Sequence, residues 1–327
     1  MSATAPHSAV TPEPPFMELQ VTAKTQVATG TWCFELRHPH GDNLPPFTAG
    51  SHLTVQTPAG TRRNYSLCSD PADAGHYQIA VKRDAQGRGG SISMAADVHI
   101  GDTLAVSVPR NNFALHPRAD EFLFIAGGIG ITPILSMMRE LRRSGRAKFR
   151  LIYCTRDVAG TAFHELLLAQ FGEQLRLHHD HGDPDQSIDL WPEFETPGRA
   201  QVYCCGPRGL MDTVADMSGH WPSESIHFES FGVDASQYAD NLPFMVRLNR
   251  SGATMAVSAD QSILEALRAG GYQVPSSCES GTCGSCRTTL VSGEVEHRDM
   301  VLMDDEKHDQ IMVCVSRASG GELVLDL

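Results

Sequence analysis

Three cysteines, Cys278, Cys283 and Cys286, crowd into the stretch SSCESGTCGSC (276–286). A fourth, Cys314, follows in the apolar run QIMVCVSRA. The spacing C-x4-C-x2-C with a distant fourth cysteine is the plant-type pattern of four thiolates around a 2Fe–2S cluster. Structural zinc favours two separated C-x2-C pairs, which neither the four-residue gap nor the solitary Cys314 reproduces. The glycines and serines let backbone wrap closely around a cluster and turn N–H groups toward the sulfurs. Cys314, expected on a strand, would form a fixed wall. The chain carries 9 cysteines and no signal-peptide pattern, so a disulfide framework is not expected. Cys33, Cys68, Cys154, Cys204 and Cys205 stand in apolar or turn contexts and read as small hydrophobes.

Two further stretches could hold phosphate. AGGIGITPILSMM follows the apolar run EFLFIA, with Thr132 placed to cap a helix and Pro133 at its first position. Helix starts attract phosphate. Pro133 takes the last place of G-x-G-x-x-G, however, and a turn that binds nothing has the same letters. YCCGPRGLM repeats the strand-then-turn pattern and would bring Cys205 and Gly206 to the same sheet edge. Upstream, RRNYSLCS carries Arg62, Arg63, Tyr65 and Ser66, and VKRDAQGRGGSIS runs from a strand through a Gly-rich turn toward a short helix. An arginine and a helix start with Ser91 suit one phosphate, and an aromatic with a hydroxyl suits a planar ring. Such residues are also commonplace on barrel strands. The His-rich LHHDHGDPD (177–185) carries Gly, Asp and Pro and reads as a solvated surface turn.

The elements that position these residues fall into three regions. A chain of 327 residues exceeds one ordinary core. Residues 1–15, rich in Pro, read as an expected loose, disordered tail. Residues 16–118 hold short alternating runs (HLTVQT, NYSLCS, YQIAVKRD) separated by turn residues, the pattern of a small antiparallel barrel. Residues 119–233 alternate apolar strands with helices, which implies a doubly wound parallel sheet. A polar linker is expected at 234–242. Residues 243–327 mix short strands with the helix SILEALRAGG, capped by Ser262 with Glu265 completing a capping box and ended by Gly270–Gly271. The fold class is therefore multidomain, α+β and α/β. Net charge is −13, of which residues 1–118 contribute nothing, 119–240 contribute −8 and 241–327 contribute −5. Without a basic stripe, nucleic-acid binding is not expected. The acidity serves solubility or steers a basic protein partner. No stretch approaches the length of a membrane span, and a cytoplasmic, monomeric protein is expected.

Taken together, YSLC, VKRDAQGRGGSIS, AGGIGITP, YCCGPRGLMDTV, HFESFG and SSCESGTCGSC resemble the phthalate dioxygenase reductase family, within the ferredoxin–NADP reductase-like flavoproteins. The resemblance covers roughly residues 16–327, in the order flavin, nicotinamide, ferredoxin. It implies FMN in the β-barrel, with Arg63, Asn64, Tyr65 and Ser66 along the ring and Ala80, Val81 and Lys82 beside it. Gly87, Arg88, Gly90 and Ser91 would face the phosphate. Phe231 would stack on the ring, and Ser66 would bond near the hydride-accepting nitrogen. Gly128, Gly130, Thr132, Cys205 and Gly206 would contact the dinucleotide. The residues at the hydride transfer would be Ser66, Thr132, Cys205 and Phe231. The C-terminal domain would be a β-grasp ferredoxin with Cys278, Cys283, Cys286 and Cys314 as iron ligands. Asp157 would discourage a 2′-phosphate and favour NADH, although the adjacent Arg156 argues the opposite way.

These parts belong together because NADH delivers a hydride, a 2Fe–2S cluster takes single electrons, and a flavin handles both. The expected product is single electrons for another protein, a terminal Rieske-type oxygenase of an aromatic-ring dioxygenase or of a related system such as an aromatic O-demethylase. The alternatives are a self-contained NADH-dependent flavin or ferric reductase, and a redox-sensing module without turnover.

Overall fold

The computed structural model describes residues 16–231 and 241–327 apart from positions 86, 88 and 277. The tail 1–15, Arg88 and most of the expected linker lie outside the described residues.

The alternating runs of the first region become β1 (Phe16–Ala28), β2 (Thr31–Arg37), β3 (Ser51–Gln56), β4 (Arg62–Ser66), β5 (Tyr77–Lys82), β6 (Thr103–Ser107) and β7 (Arg110–Asn111), with helix α1 (Gly90–Asp97) after β5. The sheet order is β4-β3-β6-β1-β2-β5, and a bridge between Leu67 and Ile79 joins its two ends. The result is a closed antiparallel barrel. Alternation places Leu19, Val21, Phe34, Leu36, Leu53, Val55, Ile79 and Val81 inside it.

The second region winds β8 (Glu121–Gly127), α2 (Ile131–Ser144), β9 (Lys148–Thr155), α3 (His164–Phe171), β10 (Leu175–His179), α4 (Trp191–Phe194), β11 (Gln201–Cys205), α5 (Arg208–Met217) and β12 (Ile226–Glu229). Its strands are parallel in the order β10-β9-β8-β11-β12, and the order reverses between β8 and β11. That switch point puts the ends of β8 and β11 at the crevice where such sheets bind ligands. Residues 122–127 of β8 are buried, as a strand covered on both faces requires. The helix start differs from the sequence expectation. Gly128–Gly130 forms a tight 3-10 turn that winds directly into α2 with Gly130 at the cap. Thr132 is thus already inside the first turn and donates to the Ile129 carbonyl at 3.0 Å. Pro133 falls at the third helical position, which its missing N–H tolerates because the first turn lacks acceptors. The His-rich stretch is also only partly a turn, since His178 and His179 finish β10.

The third region comprises β13 (Phe244–Leu248), β14 (Thr254–Val257), α6 (Ile263–Ala269), β15 (Arg287–Glu296), β16 (Gln310–Met312) and β17 (Arg317–Leu325). Order β14-β13-β17-β15-β16, with β13 and β17 parallel and α6 against the sheet, is a β-grasp. The capping box of Ser262 and Glu265 forms as expected. Cys314 does not lie on a strand. β16 stops at Met312, and the chain turns tightly, with the Ser316 N–H donating to the Met312 carbonyl at 3.0 Å.

The barrel and the parallel sheet share one core, in which Ala49, Cys68, Ala80 and Phe113 meet Ile134, Met137 and Tyr203. Ser136 Oγ donates to the Ser69 carbonyl at 2.9 Å and the Tyr203 hydroxyl to the Ala114 carbonyl at 2.8 Å, fixing the angle of the two layers. Among the described residues, no helix is long and apolar enough to cross a membrane.

Candidate functional site

The four cysteines meet as two pairs. Cys278 and Cys283 form one, with the Cys278 N–H directed at Cys283 Sγ at 3.4 Å; Cys286 and Cys314 form the other, both nearly buried. The Ser280 N–H points at Cys278 Sγ at 3.4 Å, and Ser285 Oγ lies 3.2 Å from Cys283 Sγ. The hydrogen bond with Cys283 pushes the Cys278 thiol down against the opposing effect of burial, and the N–H groups of Ser280 and Thr282 add to it. Gly281 has φ +78°, and a Cβ there would stand 2.7 Å from Val315 and 3.2 Å from Asp299 Cα. Only glycine lets the loop pass so close. Among the described residues no three ligating side chains converge on a single-ion position. Four thiols with N–H donors directed at their sulfurs fit the ligand set that would hold a 2Fe–2S cluster.

The flavin candidates lie on β4 and β5, the strands that the Leu67–Ile79 bridge brings side by side. Arg63, Asn64, Tyr65 and Ser66 are consecutive on β4, and Ala80, Val81 and Lys82 end β5. The Tyr65 hydroxyl is buried without a hydrogen-bond partner among the described residues, and burial pushes its pKa up to about 12. A Cβ on Gly90, the first residue of α1, would lie 3.1 Å from Arg63 Cγ, so the glycine makes room for the guanidinium beside a helix start. Ser91 Oγ accepts from the Asp84 N–H at 3.1 Å and holds Gly87 and its turn against α1. An orphaned buried hydroxyl and an Arg–glycine cradle both suit a phosphorylated ring cofactor.

The two Gly-containing turns of the parallel sheet touch. A Cβ on Gly130 would sit 2.0 Å from the Cys205 carbonyl, and one on Gly206 would sit 2.9 Å from Gly127. Gly128 (φ +52°) lies close to Lys82 Nζ of the barrel, and its carbonyl accepts from the Tyr153 hydroxyl at 2.9 Å. Thr132 and Cys205 are buried immediately beneath these turns, and burial pushes the Cys205 thiol up. Asp157 stands just past β9, where Oδ1 accepts from the Gly160 N–H at 2.7 Å. Arg156 beside it is exposed.

All three regions converge at one junction. Ser66 Oγ donates to Glu229 Oε2 at 3.2 Å, and Glu229 lies opposite Cys205 in the β11–β12 register. Desolvation pushes the Glu229 carboxyl up to about 8, against the hydrogen bond from Ser66. One residue on, the Ser230 carbonyl accepts from Ser280 Oγ of the cysteine loop at 2.9 Å. Phe231 follows and is 43% exposed. His52 of β3, held neutral by burial with a pKa of about 4, feels both Arg110 and Cys278. Glu229, Ser230, Ser280 and His52 escape sequence reasoning. The one signal is a carboxylate, Glu229, at the end of the short strand within HFESFG.

A barrel with an Arg63–Gly90 cradle, a parallel sheet with paired glycine turns and a β-grasp with four thiols define a flavin- and 2Fe–2S-containing oxidoreductase. Residues 18–115 match the family model described as oxidoreductase FAD-binding domain, and residues 246–319 that of the 2Fe-2S iron-sulfur cluster binding domain. The chain is 59% identical over 314 residues to the phthalate 4,5-dioxygenase oxygenase reductase subunit of Pseudomonas putida, covering 95% of this chain and 97% of that one. It is 57% identical to the phthalate dioxygenase reductase of Burkholderia cepacia, covering 95% and 98%. A solved structure of phthalate dioxygenase reductase, described as a modular structure for electron transfer from pyridine nucleotides to 2Fe–2S, superposes with a TM-score of 0.75 at 56% identity, covering 95% and 98%. The chain belongs to the phthalate dioxygenase reductase family and is an electron-transfer reductase component.

Proposed function

We propose that this chain takes a hydride from NADH onto FMN and passes single electrons through its 2Fe–2S cluster to the terminal Rieske-type oxygenase of a phthalate dioxygenase system. When bound, the flavin supplies the conversion between a two-electron donor and one-electron carriers, and the cluster supplies the one-electron exit. The observation that carries the reading is the junction where Ser66, Glu229, Ser230 and Ser280 join the three regions by bonds of 3.2 and 2.9 Å.

In this reading residues 16–118 hold the flavin, 119–233 the dinucleotide and 243–327 the cluster, with 234–242 as the link. Arg63 and the α1 start, with Gly90 and Ser91, bind the single phosphate of FMN. Asn64, Tyr65, Ala80, Val81 and Lys82 frame the ring. The Gly128–Gly130 turn holds the dinucleotide, with Thr132, Cys205 and Gly206 beside it. Ser66 orients the ring edge, while Glu229 holds a proton beside it at neutral pH. Phe231 covers the ring. Asp157 repels a 2′-phosphate, which supports NADH as the donor. Each thiol pair, Cys278 with Cys283 and Cys286 with Cys314, holds one iron.

The test is anaerobic titration of the purified protein with NADH, followed by visible absorption. Bleaching of a flavin and of a cluster with an iron-to-flavin ratio of about two is the expected result. Cys283→Ser should keep the flavin and lose electron delivery to the oxygenase. Delivery by that variant at the wild-type rate would overturn the proposed route.

A further inference from the structure

Helix α5, which follows the β11 turn, reaches beyond the parallel sheet. Arg208, the first residue of α5, reaches across to the third region, where its Nη1 donates to the Arg298 carbonyl at 2.7 Å. Its Nε is held by Asp212, one helical turn on, at 2.6 Å. Two residues past the accepting carbonyl, the Met300 N–H donates to the Gly281 carbonyl of the cysteine loop at 3.0 Å, and the Met300 side chain packs on the core of the parallel sheet around Met211 and Val214. A short relay therefore runs from the dinucleotide turn through Arg208, Arg298 and Met300 to Gly281. A second polar tie between these regions is that of Ser280 with Ser230.

From this geometry we infer that Arg208, oriented by Asp212, is a positioning residue that clamps the iron–sulfur region against the nicotinamide region. The clamp holds the cysteine loop at the junction, where an electron leaving the reduced flavin reaches the cluster. The ion pair itself is partly exposed and adds little to stability. Its effect is directional: Asp212 removes freedom from a long side chain whose donor then meets a main-chain carbonyl rather than a mobile partner. The inference rests on the electron path proposed above. It predicts a step-specific defect, because hydride transfer involves the barrel and parallel sheet alone, and their shared core is untouched.

The experiment uses the holoenzyme. Anaerobic stopped-flow with NADH separates flavin bleaching from cluster bleaching, and amide hydrogen exchange reads the Met300 N–H. In Arg208→Ala, flavin bleaching should keep its wild-type rate. Flavin-to-cluster transfer should slow several-fold, because electron transfer weakens steeply as donor and acceptor separate. Exchange at Met300 should rise, and Arg208→Lys should restore part of both. Asp212→Asn, which keeps the guanidinium, should show a smaller loss in the same step and covers the case in which Arg208→Ala fails to fold. Unchanged cluster bleaching and Met300 exchange in the folded variants would overturn the clamp, as would a parallel fall of both electron steps. A wild-type protein whose cluster NADH never bleaches would instead overturn the electron path itself.

Discussion

Substituting Glu229 by Gln removes a titration whose energetics follow from burial. Glu229 is 8% exposed, opposite Cys205 and hydrogen-bonded by Ser66, and desolvation raises its pKa from 4.5 to about 8. The native chain therefore holds a proton that the unfolded chain has released between those two values. The stability contributed by that proton is complete below about pH 4.5 and falls as pH rises toward 8, at up to about 1.4 kcal/mol per pH unit. From pH 6 to 7.5 the loss is roughly 2 kcal/mol, or about 4–8 °C in Tm for a unit the size of barrel plus parallel sheet. Glutamine keeps a hydrogen-bonding partner for Ser66 and cannot titrate. Thermal unfolding of both proteins across that range should thus show wild type losing stability relative to Glu229→Gln, because every other titration is common to the two. A difference in Tm that stays constant across the range would refute the assignment of a buried, proton-holding carboxyl at the junction.

Three further outcomes follow from the same geometry. Tyr65→Phe deletes a buried hydroxyl with no partner among the described residues, so the flavin-free protein should be as stable as wild type or more so by about 1 kcal/mol, while flavin release, read by its fluorescence, should increase about tenfold; unchanged flavin affinity would refute a cofactor role for Tyr65. In Gly130→Ala a Cβ would overlap the Cys205 carbonyl at 2.0 Å and wedge the two turns apart. KM for NADH with a small-molecule acceptor should rise at least about tenfold, and a wild-type KM would show that the dinucleotide binds elsewhere. Asp157→Asn removes a repulsion of about 1 kcal/mol in a water-exposed site and should raise the NADPH-to-NADH ratio of kcat/KM about fivefold; an unchanged ratio would move the selectivity to other residues.

What could be read directly was chemistry encoded over short stretches. The C-x4-C-x2-C loop needs its ligands at fixed local spacing, and only Gly-rich backbone can wrap them, so the metal type was legible before any coordinates. The alternation of β3 and β5, the continuous apolar β8 and the capping box at Ser262 are equally local, because they reflect which faces a strand or helix buries. Two local readings failed where tertiary packing intervened. The apolar letters around Cys314 suggest a strand, but β16 ends early so that a turn can bring this thiol to Cys286. Thr132 and Pro133 suggest a cap, but contact of Gly130 with the Cys205 turn pulls the helix start back to Ile131. The junction itself was illegible. Ser66, Cys205, Glu229 and Ser280 come from three regions and meet only because the β11–β12 register, the shared barrel–sheet core and the docked cysteine loop coincide. No spacing records such a meeting, since the free energy that fixes it is apolar burial distributed over whole domains, to which the four residues contribute almost nothing.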